Sequence, residues 1–248
     1  MKKFVVLALV LGLMFTGKAW TQEKGLPLHP SKASGSGLLA YWSFDEGKGS
    51  VAKDYSGRGN NGTVAGAVWV DGIKGKALKF NGKDNQVEVE MNEKLQFTTA
   101  VTIEVWIYPT PPHQQNFGGI INNINGFPNS RILVTDWVLV AIQPVGLKQS
   151  PTHGEYFSVK DSTLKNDVWN YLVYVYDGKE ESLYVDGKKV GSAPYSEEWP
   201  VGDNAITIGW GYIGPEAYHF NGIIDEMKIY NYAHSEKEIS DRYKEIKK

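Results

Sequence analysis

Glu88 and Glu90 stand two positions apart in Gln86-Val87-Glu88-Val89-Glu90-Met91, where polar and apolar residues alternate. In an extended strand alternate side chains share a face, so the two carboxylates would point together roughly 6 to 7 Å apart. Paired carboxylates about 5 to 9 Å apart can act as acid, base or nucleophile on a glycosidic bond. The same alternation has a plainer reading, in which Val87, Val89 and Met91 face a core while the glutamates face water. That reading is preferred, and a glycoside hydrolase using Glu88 and Glu90 is kept as an alternative. Other chemistries lack their residues. With no cysteine in 248 residues, disulfides, thiolate zinc sites and cysteine nucleophiles are excluded. The five histidines, His29, His113, His153, His219 and His234, show no paired metal spacing. No nucleophile elbow, phosphate loop or dinucleotide fingerprint occurs.

A second set of residues suits binding rather than catalysis. Sugar recognition couples a flat aromatic face, against which C–H groups pack, with amides or carboxylates that bond hydroxyls. The candidate rings are Trp210, Tyr212, Tyr218, Trp137 and Trp199. The densest stretch is Gly209-Trp210-Gly211-Tyr212-Ile213-Gly214-Pro215-Glu216-Ala217-Tyr218-His219, a glycine-rich connection of the kind where binding residues collect. Asn122, Asn123, Asn125, Gln114 and Gln115 offer polar partners. Trp42, Trp69, Trp106 and Trp169 are expected in the core.

These side chains need strands to hold them. Asn-Gly begins at Asn61, Asn81, Asn125 and Asn221, and Asp-Gly at Asp71, Asp177 and Asp186; both dipeptides favour tight reversals. Between them lie β-branched or aromatic runs at 39–44, 77–80, 87–91, 101–108, 131–142, 169–176, 182–185, 205–209 and 222–230. Frequent turns with almost no helical periodicity predict a sandwich or barrel. The run 169–176 is apolar on both faces, which predicts a central strand covered on each side. One helix is expected at 235–247: Ser235 and Glu238 form a capping box, and Ile239, Tyr243 and Ile246 share a face.

The first residues set the expected location. Lys2 and Lys3 precede an apolar run from Phe4 to Phe15, interrupted only by Gly12, and Gly17 and Ala19 suit cleavage after Ala19. The run is shorter than the roughly 20 residues of a membrane-spanning helix, so 1–19 reads as a signal peptide and no membrane span remains after cleavage. Residues 20–37, rich in Pro, Ser and Gly, read as a flexible leader, and 38–248 as the folded domain. Cleavage leaves 23 basic against 28 acidic side chains, a balance of −5, which gives no support for nucleic acid binding. The expected destination is secreted, or the periplasm or cell envelope. Asn61-Gly62-Thr63 is also a glycosylation sequon, which its turn context explains without a glycan.

The segments Leu39-Ala40-Tyr41-Trp42-Ser43-Phe44-Asp45-Glu46-Gly47, Asp54-Tyr55-Ser56-Gly57-Arg58-Gly59-Asn60-Asn61-Gly62-Thr63 and Gly75-Lys76-Ala77-Leu78-Lys79-Phe80-Asn81-Gly82 resemble the opening of bacterial laminin G-like jelly-roll domains. These belong to the concanavalin A-like lectin and glucanase superfamily. The likeness continues through Thr102–Pro109 and Leu183–Lys188 and closes with Phe220-Asn221-Gly222-Ile223-Ile224-Asp225-Glu226-Met227-Lys228-Ile229-Tyr230-Asn231. The resemblance implies an all-β, two-sheet antiparallel jelly-roll sandwich with adjacent first and last strands and a short C-terminal helix. The chain departs from it at Asn170, where members often carry histidine, and across 111–165. It also has glutamate at the central acid of the 88–93 run, where the glucanase motif has aspartate.

Strand adjacency would bring Asp45 and Asp225 together from opposite ends of the chain, with Asn60, Asn61 and the Gly62 carbonyl in the intervening loop. Hard oxygens of this kind suit calcium, and members of the superfamily often carry a structural calcium at the matching place. The alternative is that both aspartates only accept backbone N–H bonds. The expectation carried forward is an exported, non-catalytic carbohydrate-binding domain with structural calcium, whose partner is a glycan or extracellular polysaccharide. A module recognising a cell-surface protein is the alternative binding role.

Overall fold

The computed structural model describes residues 37–111, 117–126, 130–135, 138–142, 157–160, 164–196, 198–199, 201–213 and 216–247. The expected signal peptide and the leader up to residue 36 lie outside these, as do Gln114, Gln115 and Trp137. In chain order the strands are β1 (Leu38–Trp42), β2 (Val51–Ala52), β3 (Gly62–Ala65), β4 (Val68–Asp71), β5 (Lys76–Asn81), β6 (Gln86–Val89), β7 (Val101–Pro109), β8 (Phe117–Asn122), β9 (Arg131–Thr135), β10 (Val138–Ile142), β11 (Phe157–Lys160), β12 (Asn170–Tyr176), β13 (Glu180–Val185), β14 (Lys188–Pro194), β15 (Ile206–Ile208), β16 (Trp210–Ile213), β17 (Glu216–His219) and β18 (Asn221–Tyr230); the helix α1 (Glu236–Ile246) follows.

These strands form two sheets. One runs β14-β13-β12-β7-β18-β5-β4, with β1 also on β18; the other runs β11-β10-β9-β8-β15-β6-β3-β2, with the β16–β17 hairpin joined through β17 to β8. The long β18 organises the first sheet. Its first half pairs with β5 and its second half with β1, while β7 lies along its other edge. The first and last strands are therefore neighbours, as the jelly-roll resemblance implies. One expected run was really two: 131–142 divides into the hairpin β9–β10. An unbroken apolar run does not itself show where a strand reverses.

Alternation builds the core between the sheets. Ile103, Val105 and Ile107 of β7, Leu172, Tyr174 and Tyr176 of β12, Val87 and Val89 of β6 and Ile206 and Ile208 of β15 all join one buried cluster. A second apolar layer lies on the other side of the first sheet, where Trp106, Tyr171, Val173, Val175, Tyr184 and Ile239 pack together. Every residue of β12 is buried, because α1 covers the face that the main core does not. Burying Ile239 contributes about 1.5–3 kcal/mol to that docking. The helix begins as its sequence predicts: Ser235 accepts from the Glu238 amide, and Glu238 accepts from the Ser235 amide at 2.7 Å. The Asp186-Gly187 turn has φ of 50° and 77°, the left-handed pair that a tight hairpin requires. Among the described residues no helix is long and apolar enough to cross a membrane.

Candidate functional site

Asp45 and Asp225 do converge, at the turn joining β4 and β5. Asp225 Oδ2 accepts from the Lys74 amide at 3.2 Å and its Oδ1 from the Glu226 amide at 2.8 Å. Asp45 Oδ1 accepts from the Lys76 amide at 2.8 Å. Gly72 and Gly75 allow this approach, since a Cβ at Gly72 would collide with Asp225 and one at Gly75 with Asp45. Asp225 is fully buried, and burial, helped by the nearby charges of Glu226 and Asp45, raises its pKa to about 7. Each of these hydrogen bonds comes from a backbone N–H, which is the alternative role foreseen for the two aspartates; the carboxylates have the hard-oxygen chemistry of a metal ligand, and a cation would share these same oxygens.

The other three expected ligands do not join them. Asn60 O accepts from the Trp42 indole at 2.8 Å, and Asn60 Oδ1 accepts from Asn92 Nδ2 at 2.8 Å. Asn61 Oδ1 accepts from the Asp54 amide at 2.9 Å, while Gly62 sits in β3 opposite Val89 and Ala52. The side-chain oxygens of both asparagines are thus engaged in folding the loop. Its organiser is Asp54, which sequence reasoning passed over: Oδ1 accepts from the Tyr41 and Ser56 amides, and Oδ2 from the Asn60 amide and the Ser56 hydroxyl. The legible signal was Asp54-x-Ser56, a short-range turn pattern of aspartate. Among the described residues no three His, Asp or Glu side chains gather in a metal-binding group.

The aromatic set is also divided. Trp199 is 2% exposed and packs on Phe97, Tyr174 and Tyr176 in the core. Tyr218 is 7% exposed. Rings enclosed in this way cannot present a face to a sugar, which corrects the expectation for both; Trp199 went to the core because its neighbourhood supplies three more rings. Trp210 is half-buried, with its ring 6.2 Å from that of His219. The backbone of Tyr212 lies in β16 opposite Ala217, and Trp137 lies outside the described residues.

Glu88 is exposed on β6 and Glu90 is exposed just beyond the end of that strand, while Val87 and Val89 are fully buried. Register places Glu88 opposite Thr63 on β3 and Thr207 on β15, and Thr207 opposite Asn122 on β8. Since Ile206 and Ile208 enter the core, Thr207 is on the face turned away from it, and Glu88 and Asn122 share that face. Thr207 and Asn122 are only 3% and 1% exposed, yet Thr207 Oγ1 and Asn122 Oδ1 have no hydrogen-bond partner among the described residues. A buried polar oxygen left unsatisfied costs about 1–3 kcal/mol, so a pair of them on adjacent strands needs an explanation.

The β16–β17 hairpin sits beside this row. The chain leaves β15 through Gly209 at φ 80°, where a Cβ would strike the Phe80 ring. It then passes so close to β8 that a Cβ on Gly119 would collide with the Gly211 backbone. Sequence reasoning reached Glu88, Asn122 and Trp210 separately; the register that joins Glu88 to Asn122 runs through Thr207, which carried no motif. Asn125 has a different task, accepting from the Phe97 amide and donating to the Phe97 carbonyl, and Asn123 donates to Ala205 O at 3.0 Å.

A family model described as the concanavalin A-like lectin/glucanases superfamily matches residues 81–240. No curated protein sequence matches the chain. Among solved structures, the binding domain of Paraclostridial Mosquitocidal Protein 1 is similar at a TM-score of 0.66 and 20% identity, over 83% of this chain and 51% of that one. Domain 4 of AbnA, a GH43 extracellular arabinanase from Geobacillus stearothermophilus in complex with arabinotriose, is similar at 0.56 and 20%, over 82% and 97%. The botulinum neurotoxin serotype D ligand-binding domain in complex with N-acetylneuraminic acid is similar at 0.62 and 18%, over 84% and 51%. The chain thus spans about half the length of the two toxin domains, and at these identities the likeness is one of fold.

Proposed function

This chain belongs to the concanavalin A-like lectin/glucanase superfamily, and on that premise we propose that it is an exported, non-catalytic glycan-binding domain. The observation that carries the reading is the row Glu88, Thr207 and Asn122 on the outward face of the ten-stranded sheet, with two buried oxygens lacking partners among the described residues. Oxygens this enclosed would be reached through a water lodged behind a bound glycan, and the exposed Glu88 carboxylate would accept a glycan hydroxyl directly. Trp210, on the hairpin beside the row, is the candidate for stacking on a sugar among the rings whose side chains are described. Neighbours of the same fold that hold arabinotriose and N-acetylneuraminic acid support a binding role of this class.

Export rests on the apolar run at 4–15 behind Lys2 and Lys3. Calcium belongs to the reading at Asp45 and Asp225 alone, with further oxygens from backbone or water; its task would be to neutralise two close carboxylates and pin β1 and β18 to the β4–β5 turn. The test is a glycan array with and without calcium, followed by calorimetry on the best ligand with Glu88→Ala and Asn122→Ala. Loss of affinity in both variants supports the row. An array without a binder, or a binder indifferent to both substitutions, would overturn it.

A further inference from the structure

A cavity of about 230 Å³ opens between α1 and the outward face of the eight-stranded sheet, on the opposite side of the molecule's core from the Glu88 row. Its floor is the buried pair Trp106 and Tyr171, whose rings lie 5.1 Å apart. Two nearly inaccessible carboxylates line it, Glu104 and Glu226, with Lys228 Nζ 3.4 Å from one and 3.3 Å from the other. Tyr171 Oη donates to Glu104 at 2.5 Å, and Tyr41 Oη donates to Glu226 at 2.9 Å. The acids of the floor are therefore already compensated, and a ligand need not neutralise them.

The uncommitted capacity is cationic. Arg242 contributes Nη1 to Glu104 Oε1 at 3.3 Å and to Tyr230 Oη at 2.9 Å, which fixes its guanidinium plane. Its Nε and Nη2, the edge that engages a carboxylate side-on, have no partner among the described residues. Lys74 is 58% exposed and reaches Glu226 only at 3.5 Å. Lys74, Lys228 and Arg242 balance Glu104, Glu226 and Glu245 among the lining residues, and Lys247, 6.0 Å from the Trp106 ring, adds one positive charge beside them. The volume lies below the roughly 300 Å³ at which sites for drug-sized ligands begin.

We propose that this cavity binds a small hydroxylated monocarboxylate, the size of one uronic acid residue. The carboxylate lies on the free edge of Arg242, and hydroxyls donate to Glu226 and to the Tyr41 hydroxyl. The site is independent of the glycan reading of the other sheet and survives its failure.

The test titrates glucuronate, glucose and acetate into ¹⁵N-labelled protein, following the Trp106 indole N–H, with Trp106→Phe used to assign it. Glucuronate is expected to move that signal and to bind at least about tenfold more tightly than glucose or acetate, since it alone has both the carboxylate and the hydroxyls. Arg242→Gln should cut glucuronate affinity by about tenfold or more. Should Arg242→Gln fail to fold, Glu245→Gln, at an exposed position, decides: removing the like charge should tighten glucuronate about twofold or more and leave glucose unchanged. Glucose or acetate binding as well as glucuronate, an unmoved Trp106 signal, or glucuronate affinity unchanged in a folded Arg242→Gln or in Glu245→Gln would overturn the proposal.

Discussion

On the outward face of the eight-stranded sheet, the buried Glu104 receives Tyr171, Tyr230, Lys228 and Arg242, and the buried Glu226 receives Tyr41, Lys74 and Lys228. On the outward face of the ten-stranded sheet, Thr207 and Asn122 are as deeply buried, and one oxygen of each goes without a partner among the described residues. Both faces bury polar groups, but the carboxylates of the first find their partners within the chain, while the oxygens of the second do not among the described residues. A closed network fixes one geometry, here the seat of α1, because removing any member strands the others. An open one leaves free energy to be gained when something outside the chain supplies the missing bond. Around the carboxylates of the first face, the Trp106 indole N–H and both ring nitrogens of His234, which packs on Tyr230, have no partner among the described residues.

The comparison is broken most directly at Glu104. Glu104→Ala leaves Tyr171, Tyr230, Lys228 and Arg242 facing an apolar gap, and breaking a buried ion pair from one side costs about 3–5 kcal/mol. Urea unfolding should show that loss, together with melting of α1 before the sheets. A loss under about 1 kcal/mol would mean the network is slack and the contrast between the faces unfounded. Glu88→Gln on the open face should stay within about 0.5 kcal/mol of wild type in the same assay.

Asp225, adjoining the closed network, gives the next effect. Its folded pKa of about 7 lies above the ordinary carboxylate value of roughly 3.9, so the folded state holds a proton that the unfolded state has released. Stability from this group is complete below about pH 4 and is lost as pH rises through about 7, by up to about 4 kcal/mol for a shift of that size. Metal-free protein should therefore lose stability between pH 4 and 7 through this residue, and Asp225→Asn should flatten the slope. Added calcium should restore the loss at pH 7 in wild type and not in Asp225→Asn. A slope equal in both proteins would remove Asp225 as its source.

A smaller effect is expected at the end of the chain. Ser235→Ala removes the acceptor for the Glu238 amide and should cost about 0.5–2 kcal/mol, read as a lower melting temperature. This was also the most legible part of the molecule: Ser235, Glu238 and the Ile239, Tyr243, Ile246 face set the helix to within a residue at each end, because capping and periodicity are local. The Val87, Glu88, Val89 alternation was read correctly for the same reason. What stayed hidden was non-local. Nothing local marks Thr207 as the link between Glu88 and Asn122, since that depends on which strands become neighbours. The Glu226 bulge, where the β18 ladder slips between Asp225 and Lys228 and a non-glycine residue takes φ 51°, likewise has no sequence signal. Asn60 and Asn61 were misread because the aspartate that organises their loop, Asp54, resembles any other turn residue.

The finest test of the contrast is Thr207→Val. Valine has nearly the shape of threonine and lacks the hydroxyl, so it removes an unsatisfied buried oxygen without opening a cavity. On a closed face such a substitution destabilises, because it strands a partner. Here it should be neutral or stabilise by up to about 1 kcal/mol, while weakening whatever glycan the array identifies. Gain in stability with loss of binding is the signature of a polar group kept for a ligand, since the folded domain alone derives nothing from it. If Thr207→Val instead destabilises by about 1 kcal/mol or more, the hydroxyl has a partner within the protein, and the two faces are built alike.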